Sequence, residues 1–207
     1  MGLYAEHVLP RVMDRSMGGA ALGALRARVC EGLAGEVVEL GFGSGRNLPF
    51  LPAQVTHLYA VEPSGVAVRL ARPRLGTSAA RVEVVGLDGQ RLPLRDASVD
   101  AALCTFTLCT LPDPVAAVRE VRRVLRPGGR LHLLEHGRAP DEGVRRWQER
   151  LNAVQRRVAG GCTLDRDVPA VLRAGGLVPV RLETSYLAGA PRPFAFLHLG
   201  TAQAETA

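Results

Sequence analysis

The sequence predicts an α/β fold, with a mostly parallel sheet flanked by helices and an antiparallel hairpin at its C-terminal end. Three observations carry this. Short apolar, β-branched runs alternate with helix-length segments, a glycine-rich turn follows the first run, and the last two extended runs have no helix-length segment between them. A chain of 207 residues with 47% hydrophobic content closes one substantial core. One domain is expected, with a helical appendage over residues 1–35, the α/β core over 36–200 and a disordered tail over 201–207.

In the appendage, Leu22, Leu25, Val29 and Leu33 recur at helical spacing, which places one or two helices beside the sheet rather than in it. Strands are read at Glu36 to Leu40, His57 to Val61, Arg81 to Val85, Val99 to Cys104 and Arg130 to Glu135. Between the last two, Val115, Val118, Val121, Val124 and Leu125 mark one face of a helix from Pro114 to Leu125, stopped by Pro127-Gly128-Gly129. A second helix, about Asp141 to Ala159, puts Val144, Trp147, Leu151, Val154 and Val158 on one stripe, with Arg145, Arg146, Arg150, Arg156 and Arg157 largely outside it. The stripe reads as packed against protein beneath a solvated charged face, with peripheral contact to a lipid surface as the alternative. A helix around Arg166 to Ala174 ends at Gly175-Gly176, and extended runs at Val178 to Leu187 and Pro193 to Leu199 form the hairpin.

Composition narrows the function classes. No stretch approaches the roughly 20 consecutive apolar residues of a membrane helix, and Met1 to Gly23 lacks the features of a secretory signal, so a soluble, cytoplasmic protein is expected. Cys30, Cys104, Cys109 and Cys162 are scattered and read as buried free thiols, with no metal expected from their spacing. The net charge of +6 comes with basic side chains that are all arginine, a pattern ascribed to coding bias. With 4% aromatic residues there is no basic-aromatic stacking surface, and nucleic acid is not an expected partner. Oligomeric state is not legible.

Ligands of open α/β sheets bind beyond the C-terminal ends of the strands, where strand order reverses, so the turn after the first strand comes first. Gly41, Gly43 and Gly45 let the backbone turn sharply and a ligand lie against main-chain N–H groups. A dinucleotide loop, G-x-G-x-x-G, would need glycine at Arg46, whereas G-x-G-x-G closes at Gly45. This favours a ligand without a pyrophosphate, such as S-adenosylmethionine, an adenosine with an amino-acid tail. Its ribose hydroxyls want a carboxylate, and Glu62 ends the second strand; its adenine wants an acceptor, and Asp88 follows the third; Glu39 precedes the loop and can hold the ammonium directly or through water. Each acid has a plain alternative: Glu62 as a helix cap, Asp88 as a turn residue, Glu39 as a strand-end charge.

These residues resemble the class I methyltransferases, specifically the small-molecule branch often labelled type 11. The likeness runs from about Gly35 to Glu135 through E-x-G-x-G-x-G, Glu62, Asp88-Gly89-Gln90-Arg91-Leu92-Pro93 and Arg123-Val124-Leu125-Arg126-Pro127-Gly128-Gly129. Further on, Cys104-Thr105-Phe106-Thr107-Leu108-Cys109, Leu134-Glu135-His136, Trp147 with Gln148, and Gly161-Cys162-Thr163-Leu164-Asp165-Arg166 are similar to thiol S-methyltransferase-like proteins, whose animal members carry an N-terminal membrane anchor that Met1 to Gly35 does not match. The resemblance implies a Rossmann-like, seven-stranded sheet, S-adenosylmethionine as cofactor and a small acceptor (thiol, amine, hydroxyl or quinone-like). The cofactor set is completed by Gly41, Gly43, Gly45, Asn47, Gly89 and Thr105.

Methyl transfer from a sulfonium is an in-line displacement in which positioning supplies most of the rate, so no nucleophilic residue is required. His136, after the fifth strand, is the candidate general base or substrate contact, or else a strand-end hydrogen bonder; His132 reads as structural. Thr105, Thr107, Cys162 and Arg166 are candidate walls of the acceptor site, and Phe106, Leu108, Leu111 and Phe194 favour a lipophilic acceptor. The competing readings are a nicotinamide-dependent oxidoreductase, which Arg46 and the hairpin oppose, and a cofactor-binding subunit without catalysis.

Overall fold

The structure is a computed structural model that describes residues 4–86 and 88–205. Seven strands form one sheet in the order β3-β2-β1-β4-β5-β7-β6. The strands are β1 (Gly35–Leu40), β2 (Val55–Val61), β3 (Arg81–Gly86), β4 (Val99–Thr105), β5 (Leu125–His136), β6 (Leu177–Tyr186) and β7 (Phe196–Ala204). The first five run parallel, while β7 lies antiparallel between β5 and β6.

Alternation along each strand divides the core in two, because successive side chains leave opposite faces of a pleated strand. Val38, Leu40, Ala102 and Cys104 face one layer with α4 (Pro114–Val124) and α6 (Val168–Ala174). Val37, Ala101 and Leu103 face the other, with α2 (Ala20–Cys30) and α3 (Gly65–Leu75). Both faces are covered, which is why β1 reads as a continuous apolar run interrupted only by glutamates. The helices start where short polar side chains meet orphan backbone donors. Ser64 accepts from Ala67 N at α3, Asp113 from Ala116 N at α4 and Asp167 from Ala170 N at α6.

The N-terminal segment packs beside the sheet, as its apolar spacing predicts: a π-helical turn at Tyr4–Val8, then α1 (Leu9–Ser16) and α2, whose Leu22, Val29 and the following Leu33 are buried. Three expectations need correction. Residues from Thr201 do not begin a tail, because β7 continues to Ala204 and its Gln203 pairs with Arg130 of β5; residues 206 and 207 lie outside the described residues. Pro193 does not open the last strand, since a short helix α7 (Arg192–Ala195) makes the corner and the strand begins at Phe196.

The third correction concerns α5 (Glu142–Val158). Its buried residues are Val144, Gln148 and Asn152, while Trp147, Val154 and Val158 stand exposed. The reason is what lies beneath the helix. Gln148 Nε2 donates to the carbonyls of Gly137, Leu164 and Pro193, its Oε1 accepts from Ala139 N, and Asn152 Oδ1 accepts from Leu164 N. Loop backbone buried under a helix must be hydrogen-bonded, and that requirement turned an amide face inward instead of the apolar stripe.

Candidate functional site

Strand order reverses between β1 and β4, and a cleft of about 740 Å³ opens there, beyond the C-terminal ends of the parallel strands. Its wall is built from the turn after β1, the segments after β2 and β3, the loop after β4, and the N-terminal helices. Gly41, Gly43, Asn47, Glu62, Asp88, Gly89, Thr105 and Thr107 all line it, so eight of the expected residues, spread over four strand ends, meet in one hollow.

The glycine turn has the conformation its spacing predicts, with Gly41 at φ +69, Gly43 at +57 and Gly45 at +72. A Cβ on Gly41 would fall 2.0 Å from Thr107 Oγ1, so no other residue fits between β1 and the loop after β4. Gly45 differs from the expectation. It does not line the cleft, and a Cβ there would meet Leu48 Cδ1 at 2.9 Å and Phe42 Cζ at 3.0 Å, so its task is close packing beneath the turn.

Glu62 is buried, and its two oxygens each accept one backbone N–H, Oε2 from Gly43 and Oε1 from Ser64, both at 2.8 Å. Burial raises its pKa, and the two N–H groups pull it back. The helix cap is Ser64, not Glu62, so the carboxylate is free to face the cleft with one lone pair on each oxygen. Asp88 serves both readings made of it: Oδ1 closes a turn by accepting from Gln90 N at 2.8 Å, and the residue lines the cleft.

Glu39 lies behind the cleft wall rather than in it. It is almost fully buried; Oε1 accepts from Asn47 Nδ2 at 2.7 Å and Oε2 has no protein partner. Burial pushes its carboxyl up to about 8, against the opposing pull of Asn47 and Arg26. Arg26, on α2, is the residue that sequence reasoning missed. It is buried, its Nη1 donates to Asn47 Oδ1 at 2.7 Å and to Thr105 Oγ1 at 3.1 Å, and its guanidinium lies 5.6 Å from the Phe106 ring centroid. Nothing local signals this, since Arg26 is one of many arginines and its partners come 21 and 79 residues later. Asp14 was missed likewise: it accepts from Ser44 Oγ and Arg46 Nε, which ties α1 to the glycine turn. Although partial burial acts the other way, those two hydrogen bonds hold its carboxyl below the usual range.

Phe106 has φ +55, a left-handed conformation costly for a bulky side chain, about 1–3 kcal/mol. The turn persists because Glu135 Oε1, fully buried, accepts from Thr107 N at 2.6 Å and Leu108 N at 3.0 Å. The result presents Phe106 to the cleft, which Leu9, Pro10, Met13, Thr110, Leu111 and Pro112 also line. Of the other apolar candidates, Leu108 is buried in the core and Phe194 is exposed; neither lines the cleft.

His136, Cys162 and Arg166 are not brought to the cleft wall. His136 Nε2 is 2.9 Å from Cys162 Sγ, and Arg166 Nη2 donates to the carbonyls of Cys109 and Leu111, bracing the loop after β4 from behind. Hydrogen bonds from Cys109 and His136 lower the Cys162 pKa against its burial, while its bond to Cys162 and burial raise that of Cys109. His132 is structural, as expected, with Nδ1 2.9 Å from the carbonyl of Val29.

The cleft fits an adenosine with an amino-acid tail: paired acceptors on Glu62, a polar turn at Asp88 and open glycine backbone, with an unpartnered Glu39 oxygen behind its wall. Comparison with known proteins agrees. The family described as "Methyltransferase domain" matches residues 38–133. Thiol S-methyltransferase TMT1B of Rattus norvegicus is 30% identical over 178 residues, covering 82% of this chain and 70% of that protein. The demethylmenaquinone methyltransferase of Clavibacter sepedonicus is 36% identical over 115 residues, which are 55% of this chain and 46% of that one. A solved structure of geranyl diphosphate methyltransferase in complex with SAM shares the fold with a TM-score of 0.70 at 18% identity, over 89% of this chain and 85% of that one. The chain belongs to the class I S-adenosylmethionine-dependent methyltransferases.

Proposed function

We propose that the cleft binds S-adenosylmethionine against the Gly41–Asn47 turn and directs its methyl group to a small lipophilic acceptor, with a thiol as the first candidate. When bound, the cofactor supplies a methyl group on a sulfonium that is its own leaving group. The chain's part is to bind, orient and exclude water. Glu62 accepts from the ribose hydroxyls and Asp88 from the adenine amino group. Asn47 and Thr105, held by Arg26, shape the amino-acid end, where the unpartnered oxygen of Glu39 adds the negative charge an ammonium requires.

The observation that carries the acceptor class is the apolar share of the cleft's lining. Besides its polar groups, the cleft is lined by Leu9, Pro10, Met13, Phe106, Leu111 and Pro112. Apolar lining of this kind desolvates a lipophilic acceptor. Thiol is preferred because the TMT1B relatives cover most of the chain. Such an acceptor, with a pKa near 8.5, is partly thiolate at neutral pH and needs only a modest shift rather than a base. Among the described residues no histidine lines the cleft, in accord with catalysis by positioning.

The test is turnover with methyl-labelled S-adenosylmethionine on a panel of lipophilic thiols, amines, phenols and quinones. Label transfer to thiols ahead of the other classes is expected. Label only on a quinone would reassign the acceptor, and no label on any acceptor, in protein that binds adenosylhomocysteine, would favour a non-catalytic cofactor-binding role.

A further inference from the structure

Behind the cleft, three ligand-type side chains far apart in sequence converge. Cys109 lies in the loop after β4, His136 ends β5, and Cys162 sits between α5 and α6. Their sulfur and imidazole nitrogen atoms all lie within 4.8 Å of one another, and among the described residues no other such group of three occurs. The two sulfurs are 3.6 Å apart, and His136 presents Nε2 to Cys162 Sγ at 2.9 Å. In a tetrahedral zinc site, bonds of about 2.3 Å to sulfur and 2.0 Å to nitrogen set two sulfurs about 3.8 Å apart and sulfur and nitrogen about 3.5 Å apart. The Cys109–Cys162 and His136–Cys162 spacings differ from those values by about 0.2 Å and about 0.6 Å.

The surroundings fix the ligands before any ion arrives. Cys109 and Cys162 are both buried. Their loops are joined by Thr163 N donating to Cys109 O at 2.9 Å, and Arg166 holds the carbonyls of Cys109 and Leu111. Two thiolates, one neutral imidazole and a divalent cation sum to zero charge, which removes the main penalty for burying them. Thiolate and imidazole together select zinc-like ions over magnesium or calcium.

We propose that Cys109, His136 and Cys162 form a binding site for a thiophilic divalent cation of the zinc class. The ion clamps the loop carrying Phe106, Thr107, Thr110 and Leu111 to the end of β5 and to the α5–α6 connection. Three protein ligands leave a tetrahedral ion one further position for an exogenous ligand. The clamp stands apart from the cofactor reading of the cleft, because none of its ligands lines that cleft.

Cobalt(II) is the probe, titrated into the reduced full-length protein without oxygen. A single equivalent should produce thiolate-to-cobalt charge-transfer absorption with the ligand-field bands of a tetrahedral site, and zinc should abolish both. The Cys109→Ser, Cys162→Ser double variant should lose the charge-transfer band, while Cys30→Ala keeps it, with adenosylhomocysteine binding as the check that each variant is folded. Should the double variant not fold, wild-type protein suffices: zinc should protect Cys109 and Cys162 from iodoacetamide, as mapped by mass spectrometry. Absence of the band in wild-type protein, a band unchanged in the folded double variant, or alkylation indifferent to zinc overturns the site. So does a Cys109–Cys162 disulfide in air-exposed protein whose reduced form takes up no cobalt, which would assign the pair to thiol oxidation.

Discussion

Replacing Glu62 tests the cofactor assignment most sharply, because its hydrogen bonds can be counted. Each carboxylate oxygen already accepts one backbone N–H, from Gly43 and Ser64 at 2.8 Å. One lone pair on each oxygen is left for a pair of vicinal hydroxyls. Glu62→Ala removes two bonds to a charged acceptor, each worth about 1.5–3 kcal/mol when a partner is lost, and water returning to the space offsets part of that loss. A net penalty of about 1–3 kcal/mol is expected, a Kd for adenosylhomocysteine roughly 5- to 150-fold weaker. The same substitution strips the half-buried N–H groups of Gly43 and Ser64 of their acceptor, so stability falls as well, by about 2–4 °C in Tm for each kcal/mol lost in a protein of this size. Isothermal calorimetry on Glu62→Ala and Glu62→Gln, each shown to be folded at the titration temperature, separates the two effects. A lowered Tm with affinity within twofold of the parent would mean that Glu62 only braces the turn, and the ribose assignment would fail.

Glu39 supplies a pH signature. Burial pushes its carboxyl from the ordinary 4.5 up to about 8 in the folded protein, so its contribution to stability is full below about 4.5 and is lost as pH rises through about 8. The denaturation midpoint of the parent should fall across that window more steeply than that of Glu39→Gln, and parallel curves would refute the buried, protonated carboxyl. Binding of a ligand ammonium beside Glu39 should release a proton near neutral pH, seen as a binding enthalpy that varies with the ionisation enthalpy of the buffer. Arg26→Met should weaken adenosylhomocysteine and lower Tm together, since it frees Asn47 Oδ1 at a cost of about 1–3 kcal/mol and leaves Thr105 Oγ1 with its bond from Asn47 Nδ2 alone; loss of stability alone would limit Arg26 to packing. Gly41→Ala should cost more than the roughly 1–2 kcal/mol of the left-handed backbone, because its Cβ also collides with Thr107. Chemical denaturation measures this, and a change under about 1 kcal/mol would contradict the close approach.

What could be read along the chain depended on how local its cause was. Strands buried on both faces had to be continuous apolar runs, and Val99 to Cys104 shows itself for that reason. The turn from Gly41 to Gly45 needs positive φ within five residues, and its spacing alone distinguished it from a pyrophosphate loop. Glu62 and Asp88 could be placed on one cleft because parallel strands deliver their C-terminal ends to one side. Where the deciding partner lies far away in sequence, the reading failed or fell silent. The inward face of α5 was set by loop carbonyls at Gly137, Leu164 and Pro193 that no helical periodicity reports. Arg26 became part of the site only when α2 packed over β5 and β7. Cys109, His136 and Cys162, 27 and 26 residues apart, had no spacing to betray them. Propensity and pattern act through neighbours along the backbone, whereas a hydrogen-bond partner or a shared ligand acts through space, and only the closed sheet brought those atoms within reach of one another.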